Sequence, residues 1–376
     1  MNYCSPVPVI SAVLLLSCTG FVNGQIFGGG GGGGKLEQAA KVTHSPGGMT
    51  ITPRGSIILS LHQYQKATER VVEIPPNGDV LSFPNAAISR GEKNAPFVID
   101  AVLGLQCDKH GVVWMLDNGR RSEEVPKIIG WDSGRNKLVK IIYLPAPATR
   151  DTSFINDLVI DPQEPFIYIT DPASGRDCAL ISVNLETGLS RRLLEGHTSV
   201  IPEDIDIIVD GHPITVKRPD GSFVKPMAGA GPIAIDHKGN WVYFGPMAGR
   251  MLYRIRAEHL RDTDLSPEDL KARVEEYAAK PPGDGIAMDS KDNIYTADAG
   301  GKAIGVIRAS TKKYEVYEAD ERFLWPDGLC FGNDGYLYFY ASQLNLLAAY
   351  NAGRDRTEPP YHIYKLKALS SGTVGH

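Results

Sequence analysis

Three segments of the sequence place acidic or amide side chains immediately before an apolar run. Asn156 and Asp157 precede Leu-Val-Ile, Asp284 precedes Gly-Ile-Ala, and Asp327 precedes Gly-Leu-Cys. Carboxylate and amide oxygens suit Ca²⁺ or Mg²⁺, and carboxyl groups held close together acquire shifted pKa values that suit acid–base catalysis. Asp before Gly is also ordinary turn chemistry, in which the carboxylate accepts local backbone N–H groups. The fold decides between these interpretations, because it determines whether the segments meet.

A repeated hairpin pattern indicates such a fold. An Asp, a short turn with Gly or Asn, an apolar run and then Trp or Tyr recur in residues 108–114, 161–168, 236–243, 289–295 and 334–338, with a divergent copy in residues 52–58. The six turn positions, Gly55, Gly111, Pro165, Gly239, Asn293 and Gly335, are separated by 56, 54, 74, 54 and 42 residues. Periods of this length are typical of radial or stacked repeats.

Each copy predicts four strands, because a second pair of strand-like runs follows the hairpin, for example residues 127–131 and 137–144. Six four-stranded copies predict an all-β protein, a six-bladed β-propeller spanning residues 41–367. One helix is predicted as an insertion at about residues 266–280. Ser266 supplies its N-cap, Pro267 its first position, and Leu265, Leu270, Val274 and Tyr277 are predicted to form its packed face.

Propeller symmetry predicts a candidate site. The innermost strand of each blade starts at one mouth of the central channel, so equivalent first residues form a ring. Counting back from the turns gives Gly48, Leu103, Asn156, Gly231, Asp284 and Asp327. We therefore expect Asn156, Asp157, Asp284 and Asp327 to share the channel mouth.

Two kinds of chemistry follow from this ring. Asn156, Asp284 and Asp327 are candidate ligands of a metal ion such as Ca²⁺. Asp157, Asp284 and Asp327 are candidate catalytic acids or bases. His197, in a loop between strands, is a further candidate catalytic residue, because functional residues are frequent in loops.

The composition and the remaining motifs exclude several classes of function. With 39 Lys and Arg against 44 Asp and Glu, the net charge of -5 gives no reason to expect nucleic acid as a partner. No Walker loop, HExxH, Gly-x-Ser-x-Gly or CxxC motif is present. Cys107, Cys178 and Cys330 are too few for a disulfide framework and are expected to be three buried thiols, with one disulfide and one free thiol as the alternative. The pattern predicts no oligomeric state.

The two ends of the sequence are predicted to lie outside the propeller. Residues 1–24 read as a signal peptide with cleavage near Gly24, which predicts a secreted or extracytoplasmic protein, and no later run has the length of a membrane span. Cys18 follows Leu-Leu-Ser and suggests lipoprotein processing as an alternative. Residues 25–40 are predicted to be a glycine-rich linker and residues 368–376 a flexible tail.

Several segments resemble the yellow/major royal jelly protein family in a microbial version: residues 105–119 with Trp-Met-Leu-Asp-Asn-Gly, residues 155–161 with Ile-Asn-Asp-Leu, Asp284-Gly-Ile-Ala and Trp325-Pro-Asp-Gly. The resemblance implies a secreted six-bladed propeller whose channel mouth binds small molecules. Members of the family include nutritive proteins, amine-binding proteins and dopachrome-converting enzymes. A more distant similarity is to gluconolactonase and regucalcin-like propellers, whose metal is held by a Glu, two Asn and an Asp. Asn156 and Asp284 match two of these ligands, while Gly48 and Gly231 stand in the other two positions.

The prediction is therefore an exported propeller that binds a small organic ligand over Asn156, Asp157, Asp284 and Asp327. If it is an enzyme, the expected reaction is the tautomerisation or isomerisation of an oxidised aromatic, with a carboxylate as base. A Ca²⁺-dependent lactonase and a non-catalytic binding protein are the alternatives.

Overall fold

The structure is a computed structural model that describes residues 36–173, 175–218 and 220–376. The predicted signal peptide, its cleavage site, Cys18 and most of the predicted linker lie outside these residues. None of the helices in the described ranges is long and apolar enough to cross a membrane.

Six antiparallel four-stranded sheets form the blades of a β-propeller, as predicted. From the channel outwards, blade 1 contains Pro46–Ile51, Ile57–Leu61, Val71–Ile74 and Leu81–Ser82. Blade 2 contains Val102–Cys107, Val112–Asp117, Lys127–Asp132 and Lys137–Tyr143. Blade 3 contains Leu158–Ile160, Phe166–Asp171, Ala179–Asn184 and Ser190–Leu193.

The second half of the ring repeats this order. Blade 4 contains Ala230–Ile235, Trp241–Pro246, Met251–Arg256 and Glu275–Ala279. Blade 5 contains Ile286–Met288, Ile294–Asp298, Ala303–Ile307 and Tyr314–Ala319. Blade 6 contains Pro326–Phe331, Tyr336–Ala341, Tyr361–Lys367 and Glu37–Val42. The outer strand of blade 6 thus comes from the start of the described chain, and it begins at Glu37, inside the predicted linker.

The repeated Asp and aromatic residues of the hairpins contact each other, which explains the sequence pattern. Asp161 accepts a hydrogen bond from the Tyr168 hydroxyl at 3.0 Å and from two backbone N–H groups of its own turn. Asp108 accepts one from Trp114 Nε1 at 3.1 Å in blade 2. These aspartates hold the turn closed and satisfy the polar end of a buried aromatic side chain. These contacts give the turn aspartates a structural role.

The core consists of apolar clusters between neighbouring blades. One such cluster joins blades 3 and 4 and includes Tyr168, Ile233 and Phe244. Cys107, Cys178 and Cys330 are buried free thiols, as predicted.

The longest spacing between repeats, 74 residues, corresponds to an insertion between blades 3 and 4. It forms two small hairpins, one of strands Ile208–Val209 and His212–Pro213, the other of strands Val216–Lys217 and Phe223–Val224. The first hairpin packs Ile207, Val209 and Ile214 against Trp325 of blade 6 and its neighbours.

The inserted helix is shorter than predicted. Helices cover Ala86–Arg90, Ala257–Arg261 and Pro267–Lys271, with a 3₁₀ turn at Leu344–Leu346. Ser266 caps the third helix by accepting a hydrogen bond from the backbone N–H of Asp269 at 3.1 Å, as expected. The prediction of a helix to residue 280 is wrong, because Glu275–Ala279 is the outer strand of blade 4, paired with Met251–Arg256. Tyr277 therefore packs from a strand.

The predicted flexible tail is also wrong. Residues 368–376 pack against the propeller, with bridges from Gly372 to Asp289 and from Val374 to Phe331. The carbonyl of Gly375 accepts a hydrogen bond from Thr50 Oγ1 at 2.8 Å. The physical reason is that the ends of the inner strands offer free backbone groups, which this segment satisfies.

Candidate functional site

Two cavities meet at the start of the inner strands. A mouth pocket of about 340 Å³ opens to solvent, and the central channel beneath it encloses about 70 Å³. Asn156 and Asp284 line both cavities, so they form the floor of the mouth pocket and the top of the channel. Asp157 and Asp327 line the channel. The structure thus brings together the four polar residues that the repeat predicted to meet.

Asn156 and Asp284 are directly bonded. Asn156 Nδ2 donates to Asp284 Oδ2 at 2.9 Å. The other oxygen, Asp284 Oδ1, is buried and has no hydrogen-bond partner among the described residues. A buried carboxylate oxygen without a partner is costly, so a ligand group that donates a hydrogen bond there would gain affinity.

Asp157 and Asp327 are positioned by their own backbones. Asp157 Oδ1 accepts from the N–H of Leu158 at 2.8 Å, and Asp327 Oδ1 accepts from the N–H of Gly328 at 2.8 Å. Both carboxylates therefore make the turn contacts that the alternative interpretation proposed. Both carboxylates also line the channel, so the turn contacts do not prevent them from contributing to the site.

Glycine at the ring position of blade 4 makes room for the acidic group. Cβ of any larger residue at Gly231 would collide with Oδ1 of Asp284. The carbonyl of Gly231 accepts a hydrogen bond from Thr170 Oγ1 at 2.9 Å, which ties it to blade 3. Asp284 of blade 5 therefore reaches past blade 4 to Asn156 of blade 3.

The predicted ring position of blade 2 carries an apolar residue that lines neither cavity. Leu103 is buried, and its side chain contacts Gly47, whereas Gly104 lines the channel. The inner strands of blades 2, 4 and 6 all contain a register shift here, and Leu103, Gly231 and Asp327 each directly follow the first paired residue of their strand.

The three carboxyl groups have raised pKa values. Burial, followed by the charge of Asp284, raises the pKa of Asp157 to about 7. The same two causes raise the pKa of Asp327 well above its usual range. Burial also raises the pKa of Asp284, but the hydrogen bond from Asn156 and the ammonium of Lys280 oppose this shift. Asp284 is therefore suited to act as the ionised member of the group.

Lys280 is a buried positive charge behind Asp284. Its Nζ donates to the carbonyls of Gly249 at 3.1 Å and Pro281 at 3.2 Å. Burial lowers the pKa of Lys280 to about 8. Its hydrogen bonds also link the loop after blade 4's second strand to the segment that carries Asp284.

The walls of the mouth pocket are aromatic and apolar, and sequence reasoning missed them. Tyr64, Phe154 and Tyr350 form one side, with ring centroids of Tyr64 and Phe154 6.4 Å apart and those of Tyr64 and Tyr350 6.0 Å apart. Val216 and Met227, from the insertion, also line the pocket. All five residues lie outside the blade strands or in the insertion, where the repeat gives no equivalent positions.

Two histidines lie in different settings. His62 lines the mouth pocket, and burial, followed by the charge of Arg121, lowers its pKa to about 4, so it is neutral. His197, a predicted catalytic candidate, lines neither cavity. Its Nδ1 lies 2.8 Å from Ser199 Oγ in the loop after blade 3.

The fit of the site to a metal ion is partial. Asn156 and Asp284 lie together, but Gly48 and Gly231 offer no side-chain oxygen at the other two positions. No group of three or more His, Cys, Asp or Glu in the described ranges converges to hold a metal ion. The residues present therefore supply half of the ligand set of the gluconolactonase and regucalcin-like propellers.

The fold and site define the class as a six-bladed propeller with a carboxylate-floored pocket at one channel mouth. The chain belongs to the major royal jelly protein family, whose model matches residues 101–374. None of the curated proteins compared with the chain matches its sequence.

Solved structures share the architecture at low identity. A luciferin-regenerating enzyme is 13% identical with a TM-score of 0.58, covering 92% of this chain and 98% of that one. A gluconolactonase from Xanthomonas campestris is 13% identical with a TM-score of 0.55, covering 89% of each chain. A calcium-binding regucalcin from Agrobacterium tumefaciens is 12% identical with a TM-score of 0.54, covering 91% of this chain and 97% of that one. These similarities show the fold alone.

Proposed function

We propose that this protein binds a small organic ligand in the mouth pocket, with an aromatic body between the walls and a hydrogen-bond donor on Asp284. The observation that carries the proposal is Asp284 Oδ1, a buried and unpartnered carboxylate oxygen at the floor of a pocket of about 340 Å³. Aromatic walls favour a planar ligand because rings stack with offset or edge contacts.

The same floor supports acid–base chemistry on an oxidised aromatic ligand. In a tautomerisation, Asp284 accepts a proton from a carbon of the ligand. Solvent in the open mouth pocket donates a proton to the carbonyl oxygen. Asp157, which lies in the channel and whose pKa of about 7 leaves it partly protonated at neutral pH, exchanges protons with Asp284 from below. A C–H bond and a C=O double bond are replaced by a C=C double bond and an O–H bond. Proton exchange between the two carboxyl groups and solvent restores the starting state.

Dopachrome conversion tests the proposal directly. The loss of dopachrome's visible absorbance is followed with the wild type, Asp284→Asn and Asp334→Asn, and dopachrome binding is measured separately by quenching of tryptophan fluorescence. We expect Asp284→Asn to lose at least about a hundredfold in rate, a typical effect of removing a general base. Asp334, in a blade 6 turn with Tyr338 and Lys365, is the matched control and should keep wild-type rates. Equal rates for Asp284→Asn and the wild type would refute a catalytic base, and saturable binding without conversion would make the protein a binding protein.

A Ca²⁺-dependent lactonase is the second candidate, supported by Asn156 and Asp284 lying together at the channel mouth. If Ca²⁺ binds, Asn156, Asp284 and Asp327 would hold it, and the ion would polarise the lactone carbonyl. Hydrolysis of glucono-δ-lactone that stops with EDTA and returns with Ca²⁺ would favour this candidate.

Export is part of the proposal, supported by the apolar segment within residues 1–24. The mass of the protein recovered from cells and medium tests it. A mature protein that begins near Gln25 supports signal-peptide cleavage, a lipid-modified Cys18 supports the lipoprotein alternative, and an uncleaved protein inside the cell would refute both.

A further inference from the structure

The end of the channel opposite the mouth is occupied by residues 368–376, which we call the tail segment. Its backbone bonds to the ends of inner strands. The carbonyl of Gly375 accepts from Thr50 Oγ1 of blade 1 at 2.8 Å, and the N–H of Gly375 donates to the carbonyl of Phe331 of blade 6 at 2.9 Å. The N–H of Ser290, next to the inner strand of blade 5, donates to Ser371 O at 2.8 Å.

The tail segment is also joined to blade 2 through Thr50. The backbone N–H of Cys107 donates to Thr50 Oγ1 at 2.9 Å, and that hydroxyl in turn donates to Gly375. Contacts to blades 1, 2, 5 and 6 therefore cross the channel end. Thr373, Gly375 and His376 line the channel cavity from this side.

The tail segment packs so closely against the propeller that two of its positions have room only for glycine. Gly375 has φ of +81°, and a Cβ there would lie 2.8 Å from the carbonyl oxygen of Ile51 and 2.9 Å from that of Cys107. A Cβ on Gly372 would collide with the ring of Phe331. A larger residue would have to displace propeller backbone at Gly375 and the Phe331 ring at Gly372.

Apolar contacts add to these backbone bonds. Val374 packs against the cluster between blades 6 and 1 that contains Met49 and Cys330. Leu369 packs against the cluster of blades 5 and 6 that contains Phe331, and its N–H donates to the Tyr295 hydroxyl at 2.7 Å. The segment thus makes the kinds of contact seen when an extended peptide adds to a sheet, namely main-chain bonds for affinity and side-chain pockets for selectivity.

We propose that this end of the propeller is a peptide-binding groove selective for an extended segment with glycine at two positions, and that the tail segment is its occupant in cis. The occupied groove closes the channel, so the mouth is the entrance through which ligands reach Asp284. This inference is independent of the proposed function, because it concerns the opposite end of the channel.

The test uses the full chain carrying Gly375→Val, whose own tail segment cannot seat, and a fluorescein-labelled peptide of residues 368–376. By fluorescence anisotropy, the peptide should bind Gly375→Val saturably and bind the wild type at least about tenfold more weakly, because its groove is filled. A peptide that itself carries Gly375→Val should not bind. A peptide with Ser370→Ala is the matched control and should bind normally, since Ser370 makes only an exposed hydroxyl contact with Ser290.

Reaction of Cys330 with a thiol reagent gives a second measurement. Cys330 is 1% exposed beneath Val374, so displacement of the tail segment should speed its labelling by at least about tenfold, and added peptide should reverse the effect. Cys178, between blades 3 and 4, should be unaffected. If Gly375→Val does not fold, Gly372→Leu replaces it, because this change also prevents the tail segment from binding and leaves every groove residue intact. Failure of the peptide to bind either variant, or equal binding of the Gly375→Val peptide, would overturn the proposal.

Discussion

Asn156 and Asp284 are hydrogen-bonded at 2.9 Å although 128 residues and a whole blade separate them. The contact crosses blade 4 because Gly231 has no side chain to fill the gap. Gly231 of blade 4 thus allows the carboxylate of Asp284, from blade 5, to contact the amide of Asn156, from blade 3.

Alanine at Gly231 should therefore impair the site without touching a polar group. Its Cβ would push Asp284 away from Asn156, and we expect ligand affinity to fall at least about tenfold, as after loss of a buried charged hydrogen bond. Titration of the ligand by tryptophan fluorescence measures the effect. Gly134→Ala, in an exposed turn of blade 2, is the control and should bind as the wild type does. Unchanged affinity in Gly231→Ala would show that Asp284 does not contact the ligand.

Asp157 should make the protein less stable as the pH rises. Its folded pKa of about 7 lies above the value of 3.8 expected for an exposed side chain, so the folded state holds this proton more tightly than the unfolded state. The stabilising contribution is complete below about pH 4 and is lost as the pH rises through 7, by at most about 1.4 kcal/mol per pH unit.

Denaturant unfolding at several pH values between 4 and 8, with the wild type and Asp157→Asn, measures this dependence. The amide keeps the acceptor for the Leu158 N–H but cannot ionise. We expect the variant to lose less stability than the wild type across this range. Parallel pH profiles for the two proteins would show that Asp157 titrates normally.

Phe154 should contribute binding energy from the wall of the pocket. Its ring lies 6.4 Å from that of Tyr64, and removing it widens the mouth. Phe154→Ala should weaken binding of an aromatic ligand by about tenfold, whereas Phe154→Leu, which keeps the apolar volume, should lose less. Isothermal titration measures both. An equal loss in the two variants would point to a change of fold, and no loss in either would place the ligand elsewhere.

Calcium should change the stability little, because blades 1 and 4 offer glycine at two of the four ligand positions. Thermal unfolding is compared after EDTA treatment and after addition of Ca²⁺, with the wild type and Asp284→Ala. Ca²⁺ at 100 times its dissociation constant would add about 2.7 kcal/mol to the stability. A Ca²⁺-dependent rise in Tm that disappears in Asp284→Ala would contradict our expectation and move the lactonase candidate to first place.

The number of blades and the polar floor could be predicted because both depend on local chemistry repeated along the chain. Turn aspartates accept hydrogen bonds from the buried aromatic residues that follow them, as Asp161 does from Tyr168. Blades 2 to 6 therefore repeat an Asp and an aromatic residue at similar spacing, and this repeat is visible in the sequence. The phase of that repeat then placed Asn156, Asp284 and Asp327 correctly. The same phase placed Leu103 in blade 2, but its side chain packs against Gly47, and the next residue, Gly104, lines the channel.

The remaining features depend on contacts that are distant in sequence. The residues Leu270, Val274 and Tyr277 fit a helical face, but pairing with Met251–Arg256 makes the last part of that segment a strand. The tail segment has no periodic pattern, and its order comes from the groove that it fills. Tyr64, Phe154 and Tyr350 come from separate loops, so only the folded chain brings them to one pocket.

The strand Glu37–Val42, which pairs with Tyr361–Lys367 to complete blade 6, has a consequence for biosynthesis. Blades 1 to 5 contain all of their strands before residue 361 is made, but the ring cannot close until Lys367 has left the ribosome. The strand Glu37–Val42 therefore remains unpaired while more than 300 residues are translated. Closure is the contact with the greatest sequence separation between strands, and we expect it to be the slow step of folding.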